Sequence, residues 1–226
     1  MNRQIRLTVI LLTTAFLLAS CNLSRVNDNP VTFITEKPIN IDSAKYNTII
    51  DSFKVQTVGR VPDYYGGLNP KFEMAEVSKL KLESNECLNG QNLNETNEMC
   101  EFCVDLVVKK NGKYILVKSD NNLKKLFAPI DNEEEAVSYV SIVTGTYPMC
   151  DFKQIKDMKY LVSHFDKTYA SRQKEGFETV TFDYDIFCCP PHKYNLTRCL
   201  VDFVGNVKVL ERYAIGIDLS DHKCND

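Results

Sequence analysis

The sequence predicts an α+β domain: an antiparallel β-sheet of two or more hairpins, packed by two or more helices and stapled by disulfides. Segments with period-two alternation, rich in β-branched and aromatic residues, fill the middle and the end of the chain. Two capped stretches of helical character lie between them. Nine cysteines, one of them near the N-terminus, leave an even set of eight for the remainder. The 226 residues are 44% hydrophobic and 25% charged, with only Gly 9 and Pro 8, which excludes a collagen-like or wholly disordered chain. A formal charge of −3 with acids and bases interleaved leaves no basic footprint, so nucleic acid is excluded as a partner.

In chain order, residues 21–43 are polar, contain Pro30 and Pro38, and hold neither period, so they read as a flexible tether. Its r.m.s. span would be ~25–30 Å. Residues 44–226 then form a single domain. Residues 44–58 read as a helix running into a strand, and 62–70 (PDYYGGLNP) as a turn-rich loop with aromatics. The asparagine-rich stretch 83–101 reads as a surface loop bracketed by Cys87, Cys100 and Cys103.

The sharpest local pattern is CVDLVVKKNGKYILVKS, residues 103–119. Asn111-Gly112 favours a two-residue type I′ turn, which pairs Val108 with Ile115, Leu106 with Val117 and Asp105 with Lys118. Ser119 or Asp120 caps a short helix ending before Pro129. A second helix starts at an Asp131 cap, sets Glu133, Glu134 and Glu135 at the positive end of its dipole, buries Ala136, Val137, Val140 and Val143, and stops at Gly145. That acidic cluster reads as a solvated first turn.

Residues 155–171 fit a helix by the spacing of Ile155, Met158, Val162, Phe165 and Tyr169. A strand from about Lys159 is preferred, because the alternating FETVTFDYDIFCC (177–189) needs a partner. Residues 200–217 read as a hairpin about Gly205-Asn206, pairing Val204 with Val207 and Val201 with Leu210, in a central position covered on both faces.

Residues carrying chemistry are few. Cys87, Cys100, Cys103, Cys150, Cys188, Cys189, Cys199 and Cys224 are the disulfide candidates. Cys188 and Cys189 are adjacent and so need different partners, and one of them is placed to bond Cys199. Cys100-x₂-Cys103 has the spacing of a zinc or redox motif, but a second such pair is missing and a strand, not a helix, follows it. No metal or cofactor is implied. Asp183 and Asp185 share one face of a strand ~6.5 Å apart, and read as part of a solvent-facing row with Thr179 and Thr181. Tyr64-Tyr65-Gly66-Gly67 offers aromatic surface to a ligand or to the core. The triplets beginning at Asn22, Asn94 and Asn195 read as surface polar residues. His164, His192 and His222 are the three histidines, and none of the common catalytic signatures accompanies them.

At the N-terminus, Arg3 and Arg6 precede an unbroken apolar run, Leu7 to Leu18, of twelve residues. Twelve helical residues cover ~18 Å, short of a ~30 Å hydrocarbon core. The run ends in Leu18-Ala19-Ser20-Cys21, which resembles the lipobox of bacterial lipoproteins. The resemblance implies a signal peptide over 1–20 and a mature chain beginning at Cys21, whose thiol carries the lipid. Two or more acyl chains would attach it firmly to a membrane. Asn22 in place of aspartate leans toward the outer membrane, with the domain in the periplasm or at the cell surface. Loss of Arg3 and Arg6 takes the 27 basic residues to 25 against 30 acidic, so the anchoring is by lipid, not by charge. The expected role is a binding or structural module of the cell envelope. The alternatives are an envelope hydrolase using His192 or His164, and a zinc-stabilised secreted module; its protein or small-molecule ligand is not written in the sequence.

Overall fold

A computed structural model describes residues 34–80, 88, 102–149, 158–185 and 192–219. Ten strands build two five-stranded sheets. The first contains β1 (Ile39–Asn40), β2 (Thr57–Gly59), β3 (Glu73–Leu80), β4 (Phe102–Lys110) and β5 (Lys113–Val117). It is antiparallel except where β1 lies parallel to β3. The second contains β6 (Met158–Tyr160), β7 (Tyr169–Gln173), β8 (Gly176–Asp185), β9 (His192–Asp202) and β10 (Val207–Asp218), in the order β6-β10-β9-β8-β7 and antiparallel throughout. The helices are α1 (Tyr46–Phe53), α2 (Asp120–Phe127) and α3 (Glu133–Thr144). The α+β class and the antiparallel hairpins stand. One sheet has become two, and the first of these is mixed.

α3 lies between the sheets, and every residue from Glu135 to Ile142 is buried. Around it one core joins Leu106, Val108 and Val117 of the first sheet to Phe177, Cys199 and Val201 of the second. A helix buried all round needs apolar or fully bonded side chains on every face, and this one mixes Ala, Val and Ile with hydrogen-bonded Ser138 and Tyr139. α1 covers the outer face of the first sheet through Ile49 against Ala75, Val77 and Val107. Met149, Val162 and Phe165 cover the outer face of the second against Val180, Phe182, Leu196 and Ile215.

The first hairpin forms as expected, with Val108 opposite Ile115 and Leu106 opposite Val117. Asn111 and Gly112 have φ of 52° and 74°, the left-handed pair that a type I′ loop requires. Asp105 does not face Lys118. The β4–β5 ladder stops at Leu106, and Asp105 instead forms a buried ion pair with Lys79 at 3.1 Å. α3 is capped by Asn132, not Asp131. The Asn132 side chain accepts the Glu135 N–H at 2.9 Å, while the Glu135 carboxylate accepts the Asp131 N–H at 2.9 Å. Glu135 is therefore fully buried, not part of a solvated turn, and burial raises its pKa.

In the second hairpin Val201 pairs with Val207, and residues 203–206 form the loop. The Asp202 carboxylate explains the longer loop, because it accepts the N–H groups of Val204 at 3.0 Å and Asn206 at 2.8 Å. β10 is not covered on both faces, since residues 208–212 are all exposed. Within 158–173 the chain forms no helix but two short strands, and only β7 partners β8 while β6 pairs with β10, so the single strand expected from about Lys159 is replaced by these two. Residues 34–43 lie against the domain: Ile34 and Ile41 are buried, and β1 sits within them. Residues 21–33 of the expected tether lie outside the described residues.

The disulfide-stapled expectation is corrected. Among the described residues no disulfide joins one element to another. Cys199, in the middle of β9 between Thr179 and Val209, is a fully buried free thiol, so the bond expected between it and Cys188 or Cys189 is not formed. Its neighbours there are core residues, and it packs as a small apolar side chain. Cys103 is buried on β4 and disulfide-bonded. Cys199 being free, its partner is outside the described residues, as are Cys87, Cys100, Cys150, Cys188, Cys189 and Cys224. No helix among the described residues is long and apolar enough to cross a membrane. The apolar run Leu7–Leu18 and Cys21 lie outside those residues, so membrane attachment rests on sequence alone.

The Tyr64–Gly67 motif is a packing device. It forms a 3₁₀ turn over Asp63–Gly67, and its Gly67 N–H donates to the Ser138 hydroxyl at 3.0 Å, which donates to the Tyr64 carbonyl at 2.7 Å. A Cβ on Gly67 would collide with the Glu134 backbone carbonyl, whereas one on Gly59 meets nothing within 4 Å. Gly67→Ala is expected to lower stability by about 1–3 kcal/mol. Gly59→Ala should stay within about 0.5 kcal/mol of wild type. Thermal denaturation of both variants checks this, and an unchanged melting temperature for Gly67→Ala would contradict the packing account.

Candidate functional site

Three polar clusters and one exposed strand carry the candidate chemistry. The first cluster flanks β3 and β4. Lys79 and Asp105 pair there, so Lys79 supplies the charge partner that Lys118 was expected to be, and the other Asp105 oxygen accepts the Leu88 N–H at 2.9 Å. The Tyr65 hydroxyl donates to Glu76 at 3.1 Å. Burial raises the Glu76 pKa despite this hydrogen bond, and burial also holds the Tyr65 phenol well above its ordinary value. A cavity of about 10 Å³ opens between Tyr65, Glu76, Leu88, Leu106 and Ile142. Small-molecule sites occupy ~300–1,000 Å³, so this one suits a water molecule between polar groups more than a substrate.

The second cluster centres on Asp183 of β8. Its carboxylate accepts Asn195 Nδ2 at 2.8 Å, Thr197 Oγ1 at 3.3 Å, and Arg212 Nη2 and Nε at 2.7 and 3.1 Å, a two-pronged guanidinium contact. The row Thr179, Thr181, Asp183 is buried, not solvent-facing. Residues just past the C-terminus of α3 cover it, and Thr146 donates to Thr181 at 2.7 Å. Asp185 lies at the end of β8, opposite Lys193 in the ladder. Asn195 is likewise an interior residue, not a surface one.

The third cluster closes the end of the second sheet. His192 stands opposite Asp218 in the β9–β10 ladder, and the Tyr184 hydroxyl donates to Asp218 at 2.9 Å. The Tyr184 ring lies 5.2 Å from His192 and 4.5 Å from Tyr194 between centroids. Burial and the Asp218 carboxylate hold the Tyr184 phenol in its protonated, donating form. Of the histidines proposed for hydrolysis, His192 is buried in this cluster and His164 is exposed on the connection between β6 and β7. His222 lies outside the described residues. Burial pushes the Cys199 thiol up to about 12, far from a nucleophile's range. Among the described residues no three His, Cys, Asp or Glu side chains gather as a metal-binding group.

The exposed strand is the first half of β10. Lys208, Val209, Leu210, Glu211 and Arg212 are exposed in succession, with Val209 at 52% and Leu210 at 45%. Val204, in the adjoining loop, reaches 61%. Sequence reasoning missed this strip and the Arg212–Asp183 contact for one reason. Both depend on an irregularity in the β9–β10 register between Val209 and Glu211, which no local pattern announces. No family model, curated protein or solved structure matches this chain.

Glu76 yields a pH test. Its folded pKa is raised above 4.5, so its contribution to stability is fully present below that value and is lost as pH rises through the folded pKa. Glu76→Gln retains an acceptor for Tyr65 and removes that loss. The stability of Glu76→Gln relative to wild type is expected to grow as pH rises above 4.5, read as the difference in melting temperature. A difference that does not change with pH would contradict the burial of this carboxyl.

Proposed function

We propose that this chain is a lipid-anchored protein of the bacterial cell envelope whose domain is a binding or structural module. The observation that carries this reading is the N-terminal pattern: two arginines, twelve apolar residues and Leu18-Ala19-Ser20-Cys21. Cys21 would carry the lipid, with the outer membrane favoured by Asn22. The polar tether then spans residues 22–33, an r.m.s. reach of about 17–21 Å, which holds the domain close to the membrane surface.

The fold supports binding through a surface over chemistry in a cleft. The interior carboxylates of the three clusters are engaged by protein groups: Glu76 by Tyr65, Asp105 by Lys79 and Leu88, Asp183 by Arg212 and Asn195, and Asp218 by Tyr184. The cavity beside Glu76 is smaller than an ordinary ligand site. Val204, Val209 and Leu210, on β10 and its loop, are three of the exposed large apolar residues.

Metabolic labelling of the full chain in a bacterial host with an alkyne analogue of palmitate tests the anchor. Wild type is expected to be labelled and membrane-associated, and Cys21→Ala to lose both properties. Equal absence of label from the two would overturn the reading.

A further inference from the structure

We propose that β10 pairs edge to edge with β10 of a second copy of this chain, antiparallel, about a two-fold axis between Val209 and Leu210. β6 meets the outer edge of β10 only at Gly216–Asp218, and at Leu161, whose N–H donates to the Ile215 carbonyl at 2.9 Å, the chain turns away. From Val207 to Glu211 that edge has no strand neighbour among the described residues. An unpaired edge with exposed aliphatic side chains is a template for another strand. The five exposed residues 208–212 show that neither face of the strand is covered at this point.

The register supplies the reason the occupant is a second copy. Lys208 pairs with Leu200, and Glu211 pairs with Arg198. Leu200 and Arg198 are two residues apart on β9 and so share a face; Lys208 and Glu211 therefore share it as well. In a regular strand, residues three apart would fall on opposite faces. The β10 bulge alone brings these two together. Antiparallel pairing about a two-fold axis demands such a match, because residues directly opposite must lie on one face of the joint sheet. With the axis between Val209 and Leu210, Lys208 of one copy faces Glu211 of the other, and Val209 faces Leu210, each pair occurring twice.

The edge is thus complementary to itself in charge and in apolar surface. Sliding the pairing so that Leu210 faces itself would set Lys208 against Arg212, which lie on opposite faces because their partners Leu200 and Thr197 are three residues apart on β9, so the first register is selected. Glu211 also forms an ion pair with Arg198, whose Nε lies 2.9 Å from the carboxylate, while 45% of its side chain stays exposed. The inference deepens the lipid-anchored reading: two copies tethered to one membrane surface would meet at a raised effective concentration.

The test uses the full chain expressed with its own N-terminus, extracted in mild detergent and sized by chromatography with light scattering. Wild type is expected at twice the monomer's protein mass. Lys208→Glu alone sets glutamates face to face and Glu211→Lys alone sets lysines face to face, so each is expected to run at half the wild-type mass. Mixed together, the two variants are expected to recover the dimer, because each then faces its opposite. Circular dichroism and melting curves establish that both variants are folded. A wild-type monomer, or variants that dimerise alone as well as wild type does, would overturn the proposal. Palmitate labelling of the same samples separates the readings: a labelled monomer overturns the pairing alone, and an unlabelled dimer overturns the anchor alone.

Discussion

The burial of α3 between two sheets is the constraint on which the rest of this molecule depends. Within a run of eight successive buried residues each unpaired polar group costs about 1–3 kcal/mol, and although Ser141 Oγ and one Glu135 oxygen have no hydrogen-bond partner, Ser138, Tyr139 and the other Glu135 oxygen do. Ser138 meets the 3₁₀ turn through Gly67 and Tyr64, and so dictates a glycine there. Tyr139 donates to the Gly205 carbonyl at 3.1 Å and so fixes the loop between β9 and β10. Glu135 folds back on Asp131 and so fixes how the chain enters the helix. One helix thereby sets the geometry of turns distant from it in sequence.

The same constraint explains where polar residues lie on the second sheet. Beneath α3 the sheet face is apolar, with Phe177, Cys199 and Val201. Past the C-terminus of the helix that face becomes Thr181, Thr197, Asp183 and Asn195, where Thr146 and Arg212 complete their hydrogen bonds. A buried carboxylate needs a partner of opposite charge with good geometry, and the two-pronged Arg212 contact provides one. These groups hold the sheet to the residues that cover it. On β10 the outer surface combines exposed aliphatic groups with charges.

What was legible in the sequence was what local rules decide. Asn111-Gly112 specified both a turn and a register, and Gly145, with φ of 68°, ended α3 as a left-handed terminator should. What escaped depended on partners remote in sequence. Asn132 displaced Asp131 as cap because Glu135 turned inward toward Asp131. The Thr179–Asp183 row looked like an exposed face because alternation alone does not say which face a helix will cover. Cys199 looked like half of a disulfide because counting cysteines cannot place one at the centre of a core. The exposed strip on β10 was hidden by a one-residue bulge, which leaves no mark in the order of residues. Cys21 and the apolar run before it are legible only from their pattern.

Native-state hydrogen exchange of the α3 amides tests the central claim most directly. If this helix ties both sheets into one core, its amides from Tyr139 to Val143 should exchange only through global unfolding, with the same free energy as the slowest amides of β4 and β9. Exchange of α3 at a markedly lower free energy, with the two sheets still protected, would show that the sheets stand without it and would contradict the account.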